Sequence, residues 1–282
     1  MIQIVTDSMS DIRQEEARRE GVVVLPQHVL FGEESFADGV DLTTDEFYLK
    51  LSSAKVLPKT SQVTPEAFDQ AFRDALAKGD DVLCITGSSR LSGTFQSATI
   101  ARDMQKDASR IFLVDSLNAS LGQQILIWQA VRMRDCDMPV EEILSRISAL
   151  RERISLVGQV QNLKHLVMGG RLSVTTARLG TTLNLRPMIR LVRGKLEQDG
   201  LTRGRRRSHE WFAKQLLSQP RDPDYPVHIA SAMAPMDLTA LREALEKKNL
   251  LGEDVREVGI GPIVGTHTGQ GVLALAWVRM QE

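Results

Sequence analysis

The chain has 282 residues, 42% of them hydrophobic, and its 35 Lys and Arg nearly balance 36 Asp and Glu, leaving a formal net charge of -1. That length exceeds what one hydrophobic core usually supports and favours two domains. The neutral balance excludes a global field that gathers nucleic acid or anionic lipid, so any anion site has to be local. Two cysteines, Cys84 in an apolar run and Cys136 in a polar one, show neither CxxC spacing nor a His/Cys cluster, which speaks against a disulfide framework or zinc site and fits a reducing cytoplasm.

The opening apolar run, 1–6, is short and meets Asp7 too soon for a secretion signal. No later segment approaches the roughly 20 apolar residues of a membrane span, so a soluble, cytoplasmic chain without stable membrane insertion is expected. Runs at 2–6, 22–25, 82–86 and 111–115 read as buried strands, with helical stretches between them. The best-marked helix covers 65–76: Phe68, Ala71, Phe72 and Leu76 share one face, Thr64 suits the N-cap, Pro65 the first position and Glu66 the helix dipole. Further helices are expected over 117–134 and 140–153. This alternation predicts an N-terminal α/β domain over residues 1–153, a mostly parallel sheet with helices on both sides, and directs attention to the crevice beyond the strand carboxyl ends.

From residue 154 the pattern changes. A strand at 154–160, a hairpin at 187–197 turning at Gly194, helices at 206–217 and 237–248, and strands at 227–231, 255–258 and 272–278 predict a second α/β domain over 154–282 with a mixed or antiparallel sheet. Residues 220–226 read as an exposed connection.

Several segments carry chemistry-bearing residues. Residues 85–94 run from a strand into Gly87, Ser88, Ser89, Arg90, Leu91, Ser92, Gly93 and Thr94 before a helix, whose N-terminus offers free N–H groups to an anion; equally, Ser92 or Thr94 serves as a simple cap. Residues 59–65 bring Thr60 and Ser61 into a polar loop before another helix. Residues 259–271 surround His267 with glycines, and an imidazole donates to a carboxylate in either protonation state, although a lone His among glycines is more often a turn residue. Asp7 ends the first strand, where it caps the next helix or acts as a nucleophile. Gly169 and Gly170 suit a helix C-cap and leave Arg171 to an acidic partner or a phosphate. The densest basic run, 203–207, is a solvated surface or a footprint for nucleotide, phosphate or an acidic partner.

Taken in order, Thr6-Asp7-Ser8 with Asp11, Thr60-Ser61-Gln62, Leu91-Ser92-Gly93-Thr94, Asp115-Ser116, Gly169-Gly170-Arg171, Pro187 and Gly265-Thr266-His267-Thr268-Gly269 resemble the bacterial DegV family over nearly the whole chain. The resemblance implies two α/β domains with a long-chain fatty acid buried between them. It implies that Thr60, Ser92 and His267 hold the carboxylate, with Ser61, Gly93, Thr94 and Thr266 beside them. It also implies that some members are the lipid-binding, non-catalytic subunit of a fatty acid kinase, with Arg171 and Arg203 facing the ATP-binding partner. Val63 and Gln270 depart from the family pattern, which has Pro at both places, and bear on affinity or chain preference.

The expected function is therefore fatty acid binding without a cofactor or metal. The competing reading is a small-molecule phosphotransferase or phosphatase using Asp7, with Asp11 and Asp115 as candidate metal partners; no tight ligand spacing supports it. A nucleic-acid role rests only on residues 203–207 and is opposed by the overall charge.

Overall fold

The computed structural model describes residues 1–173 and 185–281. In chain order the first part holds β1 (Ile2–Asp7), α1 (Gln14–Arg19), β2 (Val22–Leu25), β3 (His28–Phe31), β4 (Glu34–Ala37), α2 (Thr44–Ser53), β5 (Lys59–Ser61), α3 (Pro65–Ala77), β6 (Asp81–Thr86), α4 (Thr94–Asp103), β7 (Ile111–Asp115), α5 (Ser120–Asp135) and α6 (Val140–Arg151). The second holds β8 (Ile154–Gln159), α7 (Lys164–Met168), β9 (Leu185–Val192), β10 (Lys195–Arg203), α8 (Gly204–Ser218), β11 (Val227–Ser231), α9 (Pro235–Glu246), β12 (Val255–Gly259), α10 (Pro262–Thr268) and β13 (Leu273–Val278).

Among the described residues three sheets result. The first, ordered β2-β1-β6-β7, is wholly parallel. The second, ordered β10-β9-β8-β13-β11-β12, is mixed, since only β11 and β12 run parallel. A small antiparallel sheet, β4-β3-β5, completes the set.

The parallel sheet is covered on both faces, as its continuous apolar strands require. On one face Val5, Val82 and Cys84 meet Phe68, Phe72 and Ala75 of α3 and Ala98 and Ala101 of α4. The Thr64 hydroxyl caps α3 by accepting the Ala67 N–H at 3.4 Å, with Pro65 in the first turn. On the other face Ile4, Leu83 and Ile85 pack with Leu121, Ile125 and Leu126 of α5.

Helix α5 is buried almost all round, because it touches β1 and β6 on one side and β8, β11 and β13 on the other. Small residues Ala230, Ala274 and Ala276 belong to the same core and let the helix approach the mixed sheet. The far face of that sheet, with Val227, Ile229, Leu275 and Trp277, is covered by Phe212 and Leu216 of α8 and Leu238, Leu241 and Leu245 of α9. The hairpin between β9 and β10 turns through Arg193 and Gly194, both at positive φ (47° and 82°), the two-residue geometry that glycine favours. The outer strands of the mixed sheet are β10, whose register shifts between Gln198 and Gly200, and β12.

The fold class read from the sequence matches this α/β architecture. The patterns missed the β4-β3-β5 sheet, whose strands have only three or four residues: β4 and β5 are largely polar, and the apolar stretch of β3, Val29 to Phe31, is too short to stand out. Residues 59–61, read as a polar loop, form strand β5. Residues 262–268, read as part of a glycine-rich turn, form helix α10; Gly265 is there for packing, since a Cβ would overlap the Tyr48 hydroxyl.

Because one helix serves both large sheets, Ile125→Ala should cost about 2–5 kcal/mol while unfolding stays a single transition. Urea melts followed by tryptophan fluorescence and far-UV circular dichroism check this; separated midpoints would show that the sheets unfold independently.

Candidate functional site

Strand β5 delivers Thr60, paired with Val29 of β3, and α10 packs against β3, β5 and α2. The two elements bring Thr60 Oγ1 within 2.9 Å of His267 Nε2, although the residues are 207 positions apart. His267 Nδ1 is buried without a hydrogen-bond partner among the described residues. It lies so close to Gly169, the C-cap of α7, that a Cβ there would overlap it.

Arg171 reaches across this corner: its Nε donates to the Leu91 carbonyl at 3.0 Å and its Nη1 to the Gly169 carbonyl at 2.6 Å. Among the described residues it meets backbone carbonyls, not the acidic partner considered from sequence. Burial, helped by the Arg171 and His165 charges, pushes His267 down to about 3. At neutral pH the ring is therefore uncharged and offers one donor and one acceptor. If Nε2 donates to Thr60, the threonine proton is free; if Nε2 accepts, Nδ1 carries the free proton.

Ser92 and Thr94 stand at the start of α4. Their hydroxyls lie 2.9 Å apart, and Ser92 Oγ also accepts the Thr94 N–H at 3.3 Å. The N-cap residue itself is Gly93, which has no side chain to cap with, so the Ser92 contact is the one by which a hydroxyl considered from sequence meets a free N–H of the first turn. A Cβ on Gly93 would overlap the Gln62 side chain, which donates to Ser97 Oγ at 2.8 Å. Gln62 and Arg171 thus bind the Thr60–His267 pair and the Ser92–Thr94 pair into one neighbourhood.

The remaining sequence candidates fall differently. Ser61 is half-buried beside Thr60. Thr266 is buried, and its hydroxyl donates back to the Pro262 carbonyl at 2.8 Å. Arg203 is exposed where β10 meets α8; nearby Arg205 pairs with Asp237 and Arg206 with Glu210. Val63 is buried in the core with Phe68, and Gln270 donates to the Tyr48 carbonyl at 3.1 Å, so both departures from the family pattern are accommodated by packing.

Asp7 is fully buried and its oxygens accept the Met9 N–H (3.0 Å), the Gly87 N–H (2.8 Å), Gln27 Nε2 (3.0 Å) and, more weakly, Gln123 Nε2 (3.5 Å). It caps only the short 3-10 turn Ser8–Ser10, and burial raises it to about 6 against these donors. A nucleophile needs an exposed oxygen, which Asp7 lacks. Among the described residues no group of three or more His, Cys, Asp or Glu is placed to hold a metal ion, and no helix is long and apolar enough to cross a membrane.

Asp11, read from the sequence as part of a motif and as a candidate metal partner of Asp7, links three elements. It follows the turn at φ 56°, accepts the Ser120 hydroxyl at the start of α5, and accepts the Gly261 N–H at 3.0 Å at the start of α10. A cleft of about 900 Å³ is lined by Asp11, Asp38, Trp128, Arg256 and Pro262 among others. Thr60, Ser92 and His267 are not in its lining. Gln27 was missed from sequence because a lone Gln carries no pattern; Gln62 and Gly169 were seen as motif residues, but their contacts with Ser97 and His267 join segments far apart in the chain.

A family model described as "Uncharacterised protein, DegV family" matches residues 1–280. A DegV domain-containing protein of Caldanaerobacter subterraneus subsp. tengcongensis is 34% identical over 270 residues, covering 95% of each chain. Among solved structures, a fatty-acid-binding DegV family protein from Thermus thermophilus aligns with a TM-score of 0.89 at 30% identity over 99% of both chains. A stearic-acid-binding protein from Eubacterium ventriosum aligns with a TM-score of 0.89 at 27% identity, covering 99% of this chain and 98% of that one.

Burial raises Asp11 to about 8, opposed by Ser120 and Gly261 and assisted by Asp38, and raises Asp38 to about 7, opposed by Ser8. Both carboxyls hold protons in the folded state that the unfolded chain has already released, so their effect is to lower stability as pH rises through these values. Asp11→Asn keeps an acceptor for Gly261 and a donor for Ser120 without the charge. Its melting temperature should fall less than that of the parent between about pH 5 and about pH 9; equal slopes would assign the titration to other groups.

Proposed function

The chain belongs to the DegV family, and from that membership together with the site above we propose that it buries a long-chain fatty acid and holds its carboxylate with Thr60, Ser92 and His267. The observation that carries the reading is the 2.9 Å contact between Thr60 and His267, which joins two distant motif residues in one corner. The fatty acids bound by the Thermus thermophilus and Eubacterium ventriosum proteins support it.

In this reading residues 1–153 and 154–282 are two domains, with Thr60 and Ser92 from the first and His267 from the second closing on the headgroup. Each buried methylene gains about 0.8 kcal/mol, so a long chain drives its own burial. The carboxylate then needs hydrogen bonds in exchange for its lost water. The Ser92 hydroxyl and the one free proton of the Thr60–His267 pair meet that need. Ser61, Gly93, Thr94 and Thr266 shape the surrounding wall.

The chain does no chemistry alone in this reading. A separate cytoplasmic, ATP-dependent kinase completes the reaction: a carboxylate oxygen attacks the γ-phosphorus, ADP leaves, and an acyl phosphate forms. The held carboxylate is oriented for that attack. Arg171, electrostatically coupled to His267, is suited to the phosphoryl group, and exposed Arg203 to the kinase surface. The sequence has no GxxxxGK[ST] loop of its own.

Mass spectrometry of the organic extract from purified, denatured protein should find about one fatty acid per chain; its absence after reloading attempts would defeat the reading. Ser92→Ala and Thr60→Ala should each raise the Kd about 10- to 100-fold, the loss of one hydrogen bond to a charged group, with unchanged melting temperature. His267→Ala should release lipid yet keep the far-UV signal, whereas lower stability with parental affinity would make His267 a structural residue. With a cognate kinase, Arg203→Ala should slow acyl-phosphate formation and leave lipid titration unchanged; weakened lipid binding would place Arg203 in the pocket instead.

A further inference from the structure

We propose that Asp7 and Gln27 are positioning residues that fix the direction in which the Ser92 hydroxyl donates, through a buried relay Asp7, Gln27, Thr94, Ser92. The inference rests on the carboxylate site proposed above and adds what aims one of its donors.

The relay begins with a group that only accepts. Asp7 is fully buried among donors: Oδ2 accepts the Gly87 N–H at 2.8 Å, and Oδ1 accepts the Met9 N–H and Gln27 Nε2, both at 3.0 Å. That contact selects the orientation of the Gln27 amide, because its carbonyl oxygen would be repelled there. The same Nε2 lies 3.3 Å from Thr94 Oγ1, so the second amide proton goes to the threonine oxygen. Gln27 and Thr94 are 1% and 0% exposed, which leaves no solvent to compete for these bonds. The backbone of Gln27 is pinned too: its N–H donates to Ser8 Oγ at 3.0 Å and its carbonyl accepts the Asp38 N–H at 2.9 Å.

Polarity then passes to the ligand. The Thr94 hydroxyl is buried away from solvent, and of its two partners among the described residues Gln27 Nε2 is a donor and Ser92 Oγ, 2.9 Å away, is the one that can take its proton, so the proton goes to Ser92. Ser92 Oγ also accepts the Thr94 N–H at 3.3 Å. With both lone pairs occupied, the Ser92 proton must point outward. An anionic carboxylate requires a donor in that place. Reversed polarity would spend the Ser92 proton on Thr94 and face the carboxylate with a lone pair. Asp7 therefore acts on the headgroup without touching it, through hydrogen bonds that polarise one another in a low-dielectric setting.

The test compares hexadecanoic acid with hexadecan-1-ol, whose hydroxyl either donates or accepts and so is indifferent to the polarity of Ser92. Gln27→Met keeps the volume and removes both donors. It should weaken acid binding about tenfold, leave alcohol binding within about twofold, and add nothing in a Ser92→Ala background. Equal loss for acid and alcohol, or an additive loss on top of Ser92→Ala, would overturn the relay. A full Ser92→Ala effect beside a silent Gln27→Met overturns the relay alone; a silent Ser92→Ala overturns the carboxylate site and the relay with it. If Gln27→Met does not fold, Thr94→Val interrupts the same chain one link later, and the same acid-selective loss is expected.

Discussion

Packing α5 between two sheets is the constraint on which the other positions depend. A helix with apolar contacts on opposite sides has no polar face to turn to water, so its axis is fixed by both layers together. Ala230, Ala274 and Ala276 set how near the mixed sheet comes, and Leu83 and Ile85 set the parallel one. The first residue of the helix, Ser120, bonds Asp11, and Asp11 bonds the Gly261 N–H. Gly261 begins the short helix that ends with His267 and Thr268. The place of the His267 imidazole thus follows from a helix packed in the middle of the molecule.

The polar groups around the site follow a second rule, that a buried charge is tolerated only when surrounded by donors. Asp7 receives backbone N–H groups from Met9 and Gly87 and side-chain amides from Gln27 and Gln123. Asp11 and Asp38, with fewer donors, are pushed toward their neutral forms. His267 is kept uncharged by burial and by Arg171 and His165. The corner therefore contains hydroxyls, a neutral ring and a half-buried guanidinium, a collection with more protons to give than charges to compensate.

Legibility in the sequence followed the length and regularity of each element. The strands of the parallel sheet were found because Val82 to Ile85 and their counterparts are buried on both faces and read as continuous apolar runs. The helix carrying Phe68 and Phe72 was found from its cap, its proline and its spacing. Thr60, Ser92 and His267 were singled out by motif, but nothing local says that strand β5 and helix α10 meet. That contact depends on Gly265 against Tyr48 and Gly169 against His267, spatial facts between distant segments. Gln27 carried no signal at all, since a single amide between two strands looks like any loop residue until its neighbours are known.

The two outer strands of the mixed sheet bear on the behaviour of the protein at high concentration. An unpaired strand edge is a template for joining another chain. Here β12 presents Arg256 and Glu257, the latter engaged by Arg242 at 2.6 Å. On the other side β10 alternates Lys195 and Glu197 with less polar residues and is bent by the register shift before Gly200. Charge on one edge and a kink on the other both oppose extension of the six-stranded sheet by a second chain.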